Sequence, residues 1–232
     1  MPYSHATLER RLELSRQLTS AYTRSGDFVD LQFSGPGRTL HIPFPDPLAP
    51  LPSTGAVIPA DAGAQIRDGI KSVAKQGACK EATWPYQPVE ADPQTHLFPP
   101  NSPPATKPPA AAYHEAEVYR AKSYFRVQQS LSQIKGCLAE GFPAIIGFSV
   151  YDSMYDANGN PVTVLPMPSG GDNLLGGHAV LIVGYDDSKH LFTIRNSWGP
   201  DVQDHGYFYM PYSYAADPNL ASDFWTIRGM TA

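Results

Sequence analysis

Gly176-Gly177-His178-Ala179-Val180-Leu181-Ile182-Val183-Gly184-Tyr185 is followed, after the turn Asp186-Asp187-Ser188-Lys189, by Phe192-Thr193-Ile194-Arg195-Asn196-Ser197-Trp198-Gly199. The apolar runs 178–185 and 191–196 have strand length, and a short polar turn between them makes an antiparallel pair. In such a pair the start of the first strand lies beside the end of the second. His178 is therefore expected next to Asn196, with Trp198 able to cover both. Two glycines ahead of the histidine clear space in front of the imidazole. An amide oxygen that accepts one ring N–H leaves the other nitrogen as a base, which is what activating a thiol requires. A strand histidine taken alone is more often a satisfied core residue. Asn196 at the facing strand end moves the reading toward chemistry.

Outward from this hairpin, the second half of the chain reads as strands. Residues 144–151 form an apolar run, 206–210 and 224–228 form two more, and a helix over 130–140 precedes the first, ending at Gly141. The first half differs. Of the 24 prolines, 16 lie between Pro36 and Pro109, clustered over 43–59 and 85–109. Proline fixes φ and lacks a donor, so both clusters are expected as extended loop. Between them, Ile66, Ile70, Val73 and Ala74 share one face of a helix over 64–76, with Gly77 as its stop. Leu8, Leu12, Leu14 and Leu18 mark a further helix over 8–18, and the Pro/Ala stretch 101–112 reads as a surface crossover.

Three runs in fixed order, GGHAVLIVGYDD, FTIRNSWGP and HGYFYMPYSY, resemble the C-terminal half of papain-like cysteine peptidases in their bacterial form. The similarity reaches back through Leu138 to Pro143, Trp84-Pro85-Tyr86 and Asp61-Ala62-Gly63-Ala64, and so covers roughly residues 60–232. The resemblance implies an α+β fold of two lobes, one helical and one an antiparallel β-barrel, with the site in the cleft between them. It divides the chain into an unmatched segment 1–60, a helical-lobe remainder and Pro-rich crossover 61–112, and a β lobe 113–232. It also implies peptide-bond hydrolysis by Cys-His-Asn chemistry on a peptide or protein substrate, without metal or organic cofactor. His178 takes the position of the general base, Asn196 of its orienter, Trp198 of the ring shielding their hydrogen bond, and Gly63, or its neighbours Ala62 and Ala64, of the substrate-backbone site.

The family's nucleophile belongs some tens of residues before Gly63, on a helix N-terminus whose dipole stabilises a thiolate, with a glutamine just upstream for the oxyanion hole. Residues 1–60 contain no cysteine; the two in the chain are Cys79, where family members often carry a structural cysteine, and Cys137, mid-helix and apolar in setting. Ser4 precedes a helical segment and is the one serine weighed as a substitute, without the oxyanion donor it would need. The text of residues 25–60 has little amphipathic periodicity. It reads either as an out-of-frame replacement of the N-terminal portion or as a genuine proline-rich arm. The expectation is therefore a peptidase that is truncated and inactive as written, or a non-catalytic papain-like module that binds peptides or a partner through its cleft.

Composition bounds the rest. A net charge of -5 with no basic stripe argues against nucleic acid. No run approaches the length of a membrane span, and residues 1–30 lack the pattern of a secretory signal. His41, His96, His114, His190 and His205 lack ligand spacing and read as solvated residues in loops or at element ends. Asp152, Asp156 and Asp172 around Asn158-Gly159 lack calcium-loop spacing and read as turn chemistry.

Overall fold

Ile66, Ile70 and Val73 recur at helical spacing, and in the computed structural model they form the buried face of α1, Ile66–Lys75. The model describes residues 65–80, 82–85, 89, 92, 94–95, 97–103 and 105–231, together with the backbone of three earlier strands. Ser4, the helix read over 8–18, His96 and Gly63 lie outside the described residues. Asp68 in the first turn and Lys75 in the last complement the helix dipole of α1. Its end is closed by Gly77, at φ +88°, whose N–H reaches the Ser72 and Val73 carbonyls. A Cβ on Gly77 would lie 1.7 Å from the Ala116 carbonyl oxygen, so glycine also permits the next helix to come close.

That next helix, α2 (Ala110–Ala116), corrects the expectation of a crossover running through residue 112. Pro109 occupies its N-cap, where no donor is needed, and the run of alanines that follows has the best helix propensity. The strands β1 (Thr19–Ala21), β2 (Phe28–Gln32), β3 (Leu40–Pro43) and β4 (Cys79–Lys80) pair antiparallel in that order. Strands β2 and β3 fall in text read as irregular. Phe28-Val29 and His41-Ile42 carry β-forming residues, but the runs are too short to show a period.

The larger sheet positions the site. Its strands are β5 (Ala121–Arg126), β6 (Ala144–Tyr151), β7 (Leu174–Asp186), β8 (Leu191–Arg195), β9 (Tyr207–Pro211) and β10 (Ala221–Met230), all antiparallel, in the order β5-β10-β6-β7-β8-β9. The pairing is open, with β5 and β9 at the edges, where a closed barrel was expected. The run 224–228 is only the middle of a longer strand that pairs inside the sheet, between β5 and β6.

Alternation gives each face of the sheet its own core. On β6, Ala144, Ile146, Phe148 and Val150 enter one core with Ile182, Phe192, Ile194, Phe208 and Met210, whereas Ile145 points the other way. The second core joins Ile145, Leu181, Trp225 and Ile227 to Ile66, Ile70 and Val73 of α1. Helix α3, Leu131–Ala139, sits at the first core through Ile134 and Cys137, and starts where the Ser130 hydroxyl accepts the Gln133 N–H at 3.4 Å. After β9 the chain makes a short helix, α4 (Tyr212–Ala216), whose Tyr214 hydroxyl donates to the Ser149 carbonyl at 2.7 Å. The Gln129 side chain ties that region down by donating to the Ala215 and Ala221 carbonyls.

Candidate active site

Strand β7 begins at Leu174, so His178 stands inside the strand and not at its first position. Its Cα partner on β6 is Phe148, whose ring meets the imidazole edge-on with centroids 5.7 Å apart. On the other side β7 pairs with β8 through Leu181 and Arg195, and β8 ends there. Asn196 follows directly, and its N–H to the Gly206 carbonyl at 2.9 Å carries the β8–β9 register one residue further. A Cβ on Gly206 would sit 2.8 Å from the Gly199 carbonyl oxygen, at φ +84°, which restricts this corner to glycine.

The expected pair forms. His178 Nε2 lies 3.0 Å from Asn196 Oδ1, with both side chains buried. Extending the β7–β8 register past the ladder places Trp198 opposite His178, and the indole stacks on the imidazole at 5.1 Å with 20° between planes. Tyr155 stacks on the outer side of Trp198 at 6.5 Å. The imidazole is thus held between Phe148 and Trp198, and water is kept from its bond to the amide. Both ends of the Asn196 amide are engaged: Oδ1 also accepts the Ser197 N–H at 2.8 Å, and Nδ2 donates to Gln203 Oε1 at 2.8 Å. Gln203 in turn donates from Nε2 to the Val162 carbonyl at 2.9 Å. Sequence reasoning missed Gln203, because nothing local distinguishes it from any polar loop residue.

The two cysteines are both buried, and neither is in a disulfide. Cys137 donates to the Phe142 carbonyl, and burial pushes its thiol above the usual range despite the nearby Thr226 and Arg228. Cys79 packs in a small cluster with Ala112, Ala116 and Trp84, apart from the core that contains Phe148. The acidic turns behave as turn chemistry: Asp156 accepts the Asn158 and Asn160 N–H groups, Asp152 that of Asn173, and Asp172 that of Ser169. His190 and His205 are exposed, at positive φ in turns. His114 is exposed too, but on α2 and not in a loop. His41 lies within β3, so it also departs from the loop expectation.

Comparison with known proteins agrees with this geometry. Residues 61–225 match the model of the papain family cysteine protease. An uncharacterized peptidase C1-like protein of Acanthamoeba polyphaga mimivirus is 38% identical over 182 residues, covering 75% of this chain and 54% of that protein. Cathepsin B-like CP1 of Giardia intestinalis is 40% identical over 96 residues, covering 40% of this chain and 30% of its own. Among solved structures, xylellain, a cysteine protease from Xylella fastidiosa, superposes with a TM-score of 0.70 at 48% identity, over 73% of this chain and 63% of that one. The chain thus spans about half the length of the viral relative. An open antiparallel sheet with helices packed on it, a buried His–Asn pair under a tryptophan, and a family match over most of the sequence lead to one conclusion: the chain belongs to the papain family of cysteine proteases.

Proposed function

We propose that this chain carries the imidazole–amide half of a papain-type thiol peptidase site, engages peptide or protein chains beside it, and does not by itself hydrolyse them. The observation that carries this reading is the His178–Asn196 hydrogen bond roofed by Trp198. With Nε2–H donating to the amide, proton exchange with a nucleophile falls to Nδ1. A thiol there would lose its proton to the ring, attack the peptide carbonyl, and regain a proton path to the leaving amine through the same nitrogen. Asn196 keeps the ring oriented through rotation-sensitive steps, Trp198 keeps water from the orienting bond, and Gly63 is the family's position for substrate backbone.

The absence of turnover follows from the thiols. An activated cysteine is accessible, near positive charge or a helix N-terminus, and low in pKa. Cys137 has the opposite setting, buried in α3 with its pKa raised, and Cys79 is buried under α2. Binding without cleavage is therefore the function of these 232 residues, on a scaffold whose family chemistry is proteolysis.

The full chain, incubated with fluorogenic peptides under reducing conditions, is expected to release no fluorophore and to gain no covalent mass from thiol-directed epoxides. Immobilised on a sensor surface, it is expected to retain members of a peptide panel. Thiol-dependent turnover that disappears in His178→Ala overturns the claim of inactivity. Failure to retain any peptide overturns the claim of binding.

A further inference from the structure

We propose that Gln203 is a positioning residue that sets which nitrogen of His178 carries the proton, acting through Asn196. Its relevance to proton transfer rests on the reading of His178 as a base given above.

The two ends of an asparagine or glutamine amide are distinguished by what they face. Here both ends of the chain of contacts are backbone groups whose roles cannot be exchanged. At one end, the Val162 carbonyl can only accept, so the group 2.9 Å from it is the Gln203 NH2. The opposite side of that amide, Oε1, then accepts from Asn196 Nδ2 at 2.8 Å. This turns Asn196 Oδ1 toward the Ser197 N–H, which can only donate, at 2.8 Å, and toward His178 Nε2 at 3.0 Å. The ring nitrogen facing an oxygen acceptor must carry the hydrogen. The Val162 carbonyl, through two amides, therefore selects the Nε2–H tautomer and makes Nδ1 the basic nitrogen.

The loop that delivers Gln203 is held against its own backbone preference. Gln203 adopts φ +55° and His205 φ +51°, a region that residues with a Cβ occupy only when their surroundings insist. Here the surroundings are a closed set of hydrogen bonds. Gly206 N–H reaches the Val202 carbonyl at 2.8 Å, Asp204 and Tyr207 exchange backbone bonds at 2.9 Å, and Tyr209 Oη donates to Asp204 Oδ2 at 2.6 Å. Arg195 Nη1 donates to the His205 carbonyl at 2.9 Å. The other end of the relay is equally fixed, because the Val162 N–H is bound to the Met154 carbonyl and the next residues pair with Tyr209. Asn196 is 1% exposed, so its NH2 has no water to turn to when Gln203 is removed.

The test is two-bond 1H–15N correlation of the His178 ring in the full chain, at a pH where the imidazole is neutral. Wild type is expected to show the Nε2–H tautomer. Gln203→Leu is expected to raise the Nδ1–H to Nε2–H ratio about fivefold, the size set by one neutral hydrogen bond. Gln203→Glu keeps an oxygen toward Asn196 Nδ2 but loses the donor to the Val162 carbonyl, and is expected to shift the ratio in the same direction by less than Gln203→Leu. An unchanged ratio in Gln203→Leu, with backbone amide shifts of β6 to β8 intact, overturns the proposal. So does an Nδ1–H tautomer in wild type, a result that needs no variant to fold. If the ratio responds as expected while no peptide is retained, the binding reading falls and the role of Gln203 stands.

Discussion

Between residues 121 and 231 the functional motifs stand on a hydrogen-bonded ladder, whereas between residues 65 and 116 short elements are held mainly by side-chain packing. In the sheet, six strands in register hold His178 and Asn196, 18 residues apart across one hairpin, to within 3.0 Å. Ahead of it, α1 contributes three apolar side chains to a core that the sheet mostly builds, and α2 covers a cluster of a few small residues. The difference teaches where precision originates. A ladder fixes register to one residue, since a slip turns every side chain to the wrong face. A helix on a sheet is located by the shape of its apolar face, and it tolerates small shifts. The half of the site that needs tenth-of-an-ångström geometry is the half built on the ladder.

Cutting the two cores separately should expose this asymmetry. Phe192, fully buried among β6, β7 and β9, is expected to cost about 3–5 kcal/mol on change to alanine. Ile70→Ala on α1 is expected to cost about 2 kcal/mol, at the low end for such a truncation, because the helix can settle onto the cavity. Urea unfolding of both variants checks the ranking, and equal losses would break the contrast drawn here.

The junction between the helices is a smaller target. Gly77→Ala places a Cβ against the Ala116 carbonyl at a left-handed φ, and is expected to cost roughly 1–3 kcal/mol. Because the ladder lies elsewhere, the Trp198 signal over His178 should persist in the folded variant. Near-UV circular dichroism beside a melting curve separates the two effects.

The smallest effect is electrostatic and belongs to the turn between β7 and β8. Hydrogen bonds from the Ser188 hydroxyl and the Ser188 and Lys189 N–H groups hold the Asp186 carboxyl down to about 2. A depressed folded-state pKa contributes stability above the unfolded value of about 3.9, lost as pH falls toward 2. Asp186→Asn should therefore flatten the pH dependence of the melting temperature between about pH 4 and pH 2, and the side chain's exposure keeps the change modest. A fall in melting temperature over that window as steep as in wild type would remove Asp186 from the account.

Much of this was legible in the residues. The spacing of Ile66, Ile70 and Val73, the stop at Gly77, the helix read over 130–140 and the apolar run 144–151 are all legible locally, and the structure shows each of them. The hairpin logic that joined His178 to Asn196 is equally local, since a short turn relates both strands. Strand β5 escaped notice because its partner, β10, is about a hundred residues away and its own text, Ala121-Lys122-Ser123-Tyr124-Phe125-Arg126, is mixed in polarity at a sheet edge. Pro109 hid α2, since a proline cluster and a helix N-terminus look alike until the chain is seen turning.

Sequence alone determined the family, the α+β class and the identity of the buried pair, because these depend on residue types at fixed short separations. Tertiary structure alone decided that the sheet is open in pairing and that its last strand lies inside it. It also decided that the Cys137 thiol, read from sequence as apolar in setting, has a raised pKa, and that Gln203 bridges Asn196 to Val162. The physical reason is the same in each case. A hydrogen bond or a burial penalty belongs to a pair of groups in space, and when the partners lie forty or a hundred residues apart, neither one's local pattern contains the other.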